Sequence, residues 1–527
     1  MGCGLTDGKA KPGGPRDLGL LTSWDADWSA LRVVVAGIGQ TGFSAADTLI
    51  ELGARVVVVD GKASTQNQAR ADTLRIVGAA GVLLGPEHTD AVPLVDGAAP
   101  ELVIASPGWS PTHPVLSAAA AAGIPIWGDV ELAWRVRLRH GRKPPPWLCI
   151  TGTNGKTTTV GMTESILRAA GLRAIAAGNV GTPILDVIRD PDGYDMIAVE
   201  LSSFQLHWTE SVSPLASVCL NVAQDHVDWH GGYQHYLADK ARVYERTQVA
   251  CIYNADQRDT EKMVEDADVV EGCRAVGFTT GTPAVSMLGV VDGLLVDRAF
   301  IEQRKDSARE LAATADLGAV VPRHLVANAL AAAALARAAG VAASAIREGL
   351  RAYLPGEHRI QVVTSRDGVL WVNDSKATNP HAAAASLASF QSVVWIAGGL
   401  SKGVDYDDLV RSNAGRLRAV VVIGTDATPL SGALNRHAPD VPVFTPGSGH
   451  TGGGQLAVEP EGETSGEEVM KRAVAQAALL ATDGDTVLMA PAAASMDQFS
   501  SYAHRGEAFV QAVRSVVEGQ ANTAKES

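Results

Sequence analysis

The residues richest in chemistry follow a short apolar run. Trp147-Leu148-Cys149-Ile150 leads into Thr151-Gly152-Thr153-Asn154-Gly155-Lys156-Thr157-Thr158-Thr159. The run reads as a buried strand. Val160, Thr163, Ile166, Leu167 and Ala170 mark one face of a following helix, closed by Gly171. A glycine-punctuated turn between strand and helix aims backbone N–H groups and the positive helix end at phosphate oxygens. At this spacing Lys156 reaches β- and γ-phosphates and the Thr157 hydroxyl suits Mg2+. An ordinary glycine-rich turn is the bland alternative. The succession of strand, loop, lysine, hydroxyl and helix favours a nucleoside triphosphate site.

Two more apolar runs, 195–201 and 216–222, deliver polar residues at their ends: Glu200-Leu201-Ser202-Ser203-Phe204-Gln205 and Asn221-Val222-Ala223-Gln224-Asp225-His226-Val227-Asp228. Ligands of open α/β sheets sit at the carboxyl ends of strands, so Glu200 and His226 are expected beside the phosphate loop. A solvated strand end is the alternative for each.

The elements that must position these groups divide into three α/β domains. A strand over 31–36 turns through Gly37-Ile38-Gly39-Gln40-Thr41-Gly42 into a helix, and a second strand, 55–59, ends at Asp60. Alone, this G-x-G-x-x-G pattern reads as a dinucleotide fold with Asp60 on a ribose hydroxyl, or as a tight turn with no ligand. Residues 29–143 form this domain, after a Gly/Lys/Pro/Asp-rich extension, 1–28, expected to be disordered. Three consecutive prolines, Pro144 to Pro146, mark the linker to a central domain over 144–356. Residues 357–527 alternate strands and helices again, with a Gly-rich, acidic insertion around 447–468 expected to be flexible.

With 527 residues the chain is too long for one core. Its 46 % apolar and 19 % charged residues describe a soluble globular protein. A net charge of −14 and the lack of a basic stripe argue against nucleic-acid binding. Five scattered cysteines (Cys3, Cys149, Cys219, Cys251, Cys273) fit neither a disulfide framework nor a zinc site, which points to a reducing cytoplasm. The opening Met1-Gly2-Cys3-Gly4-Leu5-Thr6 matches a short myristoylation pattern that recurs by chance. The uncharged runs 102–128 and 381–401 are broken by prolines or by Phe390-Gln391-Ser392, so no membrane span is expected.

Taken with Gly356-Glu357-His358-Arg359, Asn373-Asp374-Ser375-Lys376-Ala377-Thr378-Asn379 and Ser495-Met496-Asp497-Gln498-Phe499, these segments resemble the Mur ligases of peptidoglycan synthesis, from residue 31 to about 515 and in the family's order. Within the family they are similar to the D-glutamate-adding branch. An Asp-Asn-Pro-Arg segment typical of the diaminopimelate- or lysine-adding branch is not found. Folylpolyglutamate synthase shares the phosphate loop but not the Asp-Gln-Phe ending.

The resemblance implies an N-terminal Rossmann-like domain for a UDP-sugar, a central P-loop ATPase-type domain and a C-terminal Rossmann-like domain for the amino acid. It turns the first glycine loop from a dinucleotide site into a holder of the UDP end of the substrate. Gln40, Thr41, Asp60, Ser106, Gly108, Asn179 and Ser202 match that site. Gly152, Thr153, Asn154, Gly155, Lys156, Thr157 and Thr158 match the ATP loop, joined by Asn328, Arg359 and Asp374. Thr157 and Glu200 match ligands of one Mg2+, and His226, with Lys240 carbamylated, those of a second. Without the family, Lys240 reads as a surface lysine on a helix. Lys156, Glu200, His226 and Lys240 are the implied catalytic set, and Lys376, Thr378, Lys402, Ser495, Met496 and Tyr502 match the D-glutamate site. Leu325 stands where Asn is usual and Tyr502 where Phe is common. The implied substrates are UDP-N-acetylmuramoyl-L-alanine, D-glutamate and ATP, joined by a cytoplasmic monomer. Rival readings are an NAD-dependent dehydrogenase built on the first domain and a regulatory ATP-binding module.

Overall fold

The computed structural model describes residues 17–318, 321–354, 356–401, 403–446 and 465–518. The central strands of each of three sheets have side chains buried on both faces, as parallel sheets require. The first has strands β1 (Arg32–Ala36), β2 (Arg55–Asp60), β3 (Gly81–Leu84), β4 (Leu102–Ala105) and β5 (Ile126–Gly128) in the order β3-β2-β1-β4-β5. All neighbours are parallel, with Val33 opposite Val56 and Leu102. The order reverses between β1 and β4, which opens a crevice at their carboxyl ends.

The second sheet has nine strands: β6 (Trp147–Thr151), β7 (Ala174–Gly178), β8 (Met196–Glu200), β9 (Ala216–Cys219), β10 (Ala250–Asn254), β11 (Arg274–Phe278), β12 (Met287–Val291), β13 (Leu294–Asp297) and β14 (Arg309–Ala313). Their order is β14-β13-β12-β11-β10-β9-β6-β8-β7. Strands β6 to β12 pair in parallel, and β12-β13-β14 close the edge as an antiparallel meander. The third sheet, β15 (Gln361–Arg366), β16 (Val369–Asn373), β17 (Val393–Gly398), β18 (Leu417–Ile423), β19 (Val443–Phe444) and β20 (Thr486–Met489), has the order β15-β16-β20-β17-β18-β19. Only β15 runs antiparallel to its neighbour.

The chain separates into two compact units: 1–316 with 327–352, and 317–326 with 353–527. The first unit holds the first two sheets. Their join combines an apolar cluster, in which Trp134 stands edge-on to Trp147 at 5.0 Å, with polar contacts: Arg189 meets Asp47 at 2.6 Å and Glu51 at 2.7 Å, and Glu131 Oε2 accepts from the backbone N–H groups of Glu210 and Ser211.

Two expectations need correcting. Residues 17–28, read as part of a disordered extension, are folded. Asp17 caps a single turn, Leu18–Leu20, and Leu21 and Trp28 are buried, with Trp28 donating to the Ser23 carbonyl. Two large apolar side chains outweigh a polar composition. Of the presumed insertion, 447–464 lie outside the described residues, but Ser465 caps the helix Gly466–Leu480, so its last residues are helical. Among the described residues no helix is long and apolar enough to cross a membrane.

Candidate active site

Strand β6 ends at Thr151, and the helix Lys156–Ala169 starts five residues later. The turn between them needs glycine twice: Gly152 has φ +153° and Gly155 φ +85°. A Cβ on Gly155 would also lie 2.4 Å from Asn328 Oδ1, so Asn328 packs directly against the loop. The loop is laced to the segment after β9. Asn154 N donates to Asn221 Oδ1 (2.9 Å), Asn221 Nδ2 donates to the Asn154 carbonyl (3.0 Å), and Thr153 N donates to the Asn221 carbonyl (2.9 Å). Thr153 Oγ1 accepts from Ala223 N and lies 2.7 Å from Tyr236 OH. Lys156 Nζ donates to the Gly152 and Thr153 carbonyls at 2.8 and 3.0 Å, which folds the ammonium over the loop. Thr157 is half-buried in the first helical turn, and Thr158 is buried behind it.

Glu200 ends β8 opposite Ile150 of β6, only 2 % exposed. Its Oε1 accepts from Asn179 Nδ2 at 3.0 Å, and its carbonyl accepts from Asn179 N. Asn179 is thereby fixed to Glu200. Ser202 begins the next helix, Ser203–His207, through a capping box with Gln205, whose Nε2 donates to the buried Asp129 at 3.1 Å. Burial pushes Asp129 up to about 6. His226 takes a left-handed conformation (φ +51°), sits 3.5 Å from Asp225 and stacks edge-on against Phe204.

Lys240 is not a surface lysine. It is 2 % exposed and donates to the Gly152 carbonyl at 2.9 Å, the same carbonyl that Lys156 uses. Burial first, then the charge of Lys156, lowers it to about 7. Its helix, Tyr233–Ala241, is tied down by the preceding residue: Asp239 accepts from His207 (2.9 Å) and His230 (2.7 Å), and His230 Nε2 meets Ser203 Oγ at 2.9 Å. Among the described residues no three His, Cys, Asp or Glu side chains gather in a metal-holding group. A hydroxyl and one buried carboxylate beside a phosphate loop nevertheless fit Mg2+, which completes its octahedron with phosphates and water.

The first domain's set gathers at the crevice between β1 and β4. Asp60 Oδ2 accepts from Ile38 N (2.9 Å) and its Oδ1 from Lys62 N, so the acid braces the glycine loop. Ser106 Oγ donates to the Gly37 carbonyl, and a Cβ on Gly42 would collide with that carbonyl at 1.9 Å. Gln40 and Gly108 are exposed here, Thr41 half-buried.

In the second unit, Asp374, Ser375, Lys376 and Thr378 follow β16, and Ser495 and Met496 follow β20. Asp374 is buried and pushed up to about 6, its carboxylate accepting from Ile360 N and Ser386 Oγ. Arg359 stands between His358 (φ +64°) and Ile360 (φ +43°), a strained connection. Lys376 Nζ lies 3.7 Å over the Tyr502 ring, so the residue in the place of Phe serves as a π-face for the lysine. Ser495 is buried and Met496 is 67 % exposed. Lys402 lies outside the described residues. Two contributors escaped the sequence reading. Asn221 is the brace of the phosphate loop, signalled only as a polar residue closing an apolar strand. Arg505, fully buried, donates to Ser375 Oγ and to the Ser375 and Ala493 carbonyls, joining the two polar turns. Its signal is a spacing of three from Tyr502, on one helix face.

A phosphate loop at the carboxyl end of one sheet, in a chain with two further α/β sheets that carry polar turns at theirs, defines a three-domain nucleotide-dependent enzyme. Three family models match in succession: the Mur ligase MurD-like N-terminal domain over 31–128, the Mur ligase middle domain over 150–336 and the Mur ligase glutamate ligase domain over 358–493. The chain belongs to the Mur ligase family. It is 52 % identical to the UDP-N-acetylmuramoylalanine–D-glutamate ligase of Streptomyces coelicolor over 93 % of this chain and 99 % of that one. The enzyme of the same name from Leifsonia xyli is 51 % identical over 96 % of both, and that of Mycolicibacterium smegmatis 46 % over 92 % and 97 %. Among solved structures, the Acinetobacter baumannii UDP-N-acetylmuramoylalanyl-D-glutamyl-2,6-diaminopimelate–D-alanyl-D-alanyl ligase superposes with a TM-score of 0.53 at 16 % identity, over 88 % of this chain and 90 % of that one. The Thermotoga maritima UDP-N-acetylmuramate-alanine ligase gives 0.50 at 17 %, over 92 % and 99 %. These two share the fold.

Proposed function

We propose that this protein joins D-glutamate to the alanine carboxylate of UDP-N-acetylmuramoyl-L-alanine at the expense of ATP, as a monomeric cytoplasmic step of peptidoglycan precursor synthesis. The observation that carries the reading is the phosphate loop, with buried Glu200 and Lys240 beside it, in a chain half identical to ligases of that name.

In this reading ATP transfers its γ-phosphoryl group to the alanine carboxylate, giving an acyl phosphate. The D-glutamate amine attacks its carbonyl carbon, and phosphate leaves from a tetrahedral intermediate. Both steps concentrate negative charge, so fixed donors and cations supply most of the catalysis. The loop N–H groups from Gly152 to Thr158 hold the β- and γ-phosphates, and Lys156 swings from its carbonyl partners onto them. Asn328 belongs with the nucleotide's base, Arg359 and Asp374 with the rest of the nucleotide. Thr157 and Glu200 would hold one Mg2+ and His226 with a carbamylated Lys240 a second, and such a pair would supply screening of the repulsion between the anionic reactants. Gln40, Thr41, Asp60, Ser106, Gly108, Asn179 and Ser202 receive the UDP-sugar. Lys376, Thr378, Lys402, Ser495, Met496 and Tyr502 receive D-glutamate, a lysine and hydroxyls suiting a dicarboxylate.

The test is phosphate release from ATP with UDP-N-acetylmuramoyl-L-alanine, comparing amino acids. D-Glutamate should release phosphate in step with product, and L-glutamate, L-alanine, L-lysine and meso-diaminopimelate should not. Equal rates with any of them, or none with D-glutamate, would overturn the reading.

A further inference from the structure

Strands β10 and β11 lie side by side in parallel, Ala250 opposite Arg274. Cys251 is the second residue of β10, and Cys273 immediately precedes β11. Their sulfurs lie 3.8 Å apart, although the residues are 22 apart in the chain. The two thiols differ in setting. Cys251 is 2 % exposed and packs against the Tyr244 carbonyl, whereas Cys273 is half-buried in a turn where its N–H donates to the Val270 carbonyl. The remaining thiols of the described residues, Cys149 and Cys219, are buried in β6 and β9.

We propose that Cys251 and Cys273 form a redox-active dithiol, a modification site at which a hydroperoxide oxidises Cys273 and Cys251 closes the disulfide. In the first step the Cys273 thiolate attacks one peroxide oxygen. An S–O bond forms, the O–O bond breaks, and the departing hydroxide takes a proton to become water. In the second, Cys251 gives up its proton and its sulfur attacks the sulfenic sulfur. The S–S bond forms, the S–O bond breaks, and a second water leaves. Two thiols lose two electrons in all and the peroxide gains them. Closure moves the sulfurs from 3.8 Å to about 2.05 Å. Cys273 can make that move because its turn lies outside the β10–β11 ladder. The pairing also orders the reactivity: the hydrogen bond from Cys251 lowers Cys273, and that bond together with burial raises Cys251. In a reducing compartment such a bridge is transient and reports oxidant. It sits at the amino ends of the strands, whereas the phosphate loop stands at their carboxyl ends.

The experiment treats the reduced full-length protein with stoichiometric hydrogen peroxide, blocks remaining thiols by alkylation and maps peptides by mass spectrometry. A Cys251–Cys273 linked peptide that dithiothreitol reverses is expected, with Cys149 and Cys219 still alkylated after unfolding. In Cys251→Ser, dimedone should trap a sulfenic acid on Cys273. In Cys273→Ser, Cys251 should stay unoxidised, and both variants should keep the wild-type ligase rate. Conversion of Cys273 to sulfinic acid without a linked peptide, a bridge to another cysteine or another chain, or no oxidation at either sulfur would each overturn the proposal.

Discussion

Lys240 shows how one buried side chain can carry a chemical commitment. A lysine lowered to about 7 is largely a neutral amine at pH 8 and largely an ammonium at pH 6. Only the neutral amine reacts with carbon dioxide, so carbamylation strengthens as pH rises through 7 and fades below it. A carbamate here would replace ammonium repulsion from Lys156 by attraction. Lys240→Ala should therefore cost about a hundredfold or more in kcat, and millimolar acetate or formate should restore part of it, measured as product per minute. An unchanged rate would remove Lys240 from the mechanism. Asp129 behaves oppositely with respect to folding. Its raised value means that the folded state prefers the protonated acid, so stability falls as pH climbs from about 4 to 6 and stays lower above that. Asp129→Asn keeps an acceptor for Gln205 and cannot ionise. It should be more stable than wild type at pH 7.5, by about 1–3 kcal/mol, and indistinguishable below pH 4, as read by thermal melts across that range.

At the scale of elements, the phosphate loop is a rigid cradle because a neighbouring strand end holds it. Asn221 makes a reciprocal pair of bonds with Asn154. Asn221→Ala leaves a backbone donor and acceptor of the loop without these partners, at a cost of about 1–3 kcal/mol. The KM for ATP should rise about tenfold by the same free-energy scale, while kcat with saturating ATP changes little. Equal losses in both would mean that Asn221 acts on the reacting groups instead. The loop itself was legible because strand, glycines, lysine and helix are contiguous in the chain. Its brace was not, since 67 residues separate Asn154 from Asn221 and spacing along the chain carries no sign of the contact. The same limit explains Lys240, which reads as an exposed helical lysine until β6 and β9 are packed around it. Conversely, Asp60 was readable as the acid that ends β2, but its pattern did not say whether it faces NAD or a UDP-sugar. The structure shows both of its oxygens tied to backbone N–H groups.

Across the whole molecule, three sheets were readable as alternating apolar runs and helices, and each places its polar turns at strand carboxyl ends. What composition concealed was where folding begins: Trp28 and Leu21 draw residues 17–28 into the core despite polar neighbours. The distribution of groups makes one chemical demand that no single residue test addresses. The unit with the phosphate loop carries Lys156 and Lys240, proposed for phosphoryl transfer, whereas most of the residues proposed for D-glutamate belong to the other unit. Phosphoryl transfer to the carboxylate should therefore precede attack by the amine and proceed through a discrete acyl phosphate. If so, one oxygen of the alanine carboxylate ends in inorganic phosphate for every peptide bond made. With UDP-N-acetylmuramoyl-L-alanine labelled with oxygen-18 in that carboxylate, mass spectrometry of the released phosphate should find one labelled oxygen per phosphate. Direct hydrolysis of ATP by water would leave the phosphate unlabelled, and that result would dismiss the acyl phosphate even if the amide product accumulated.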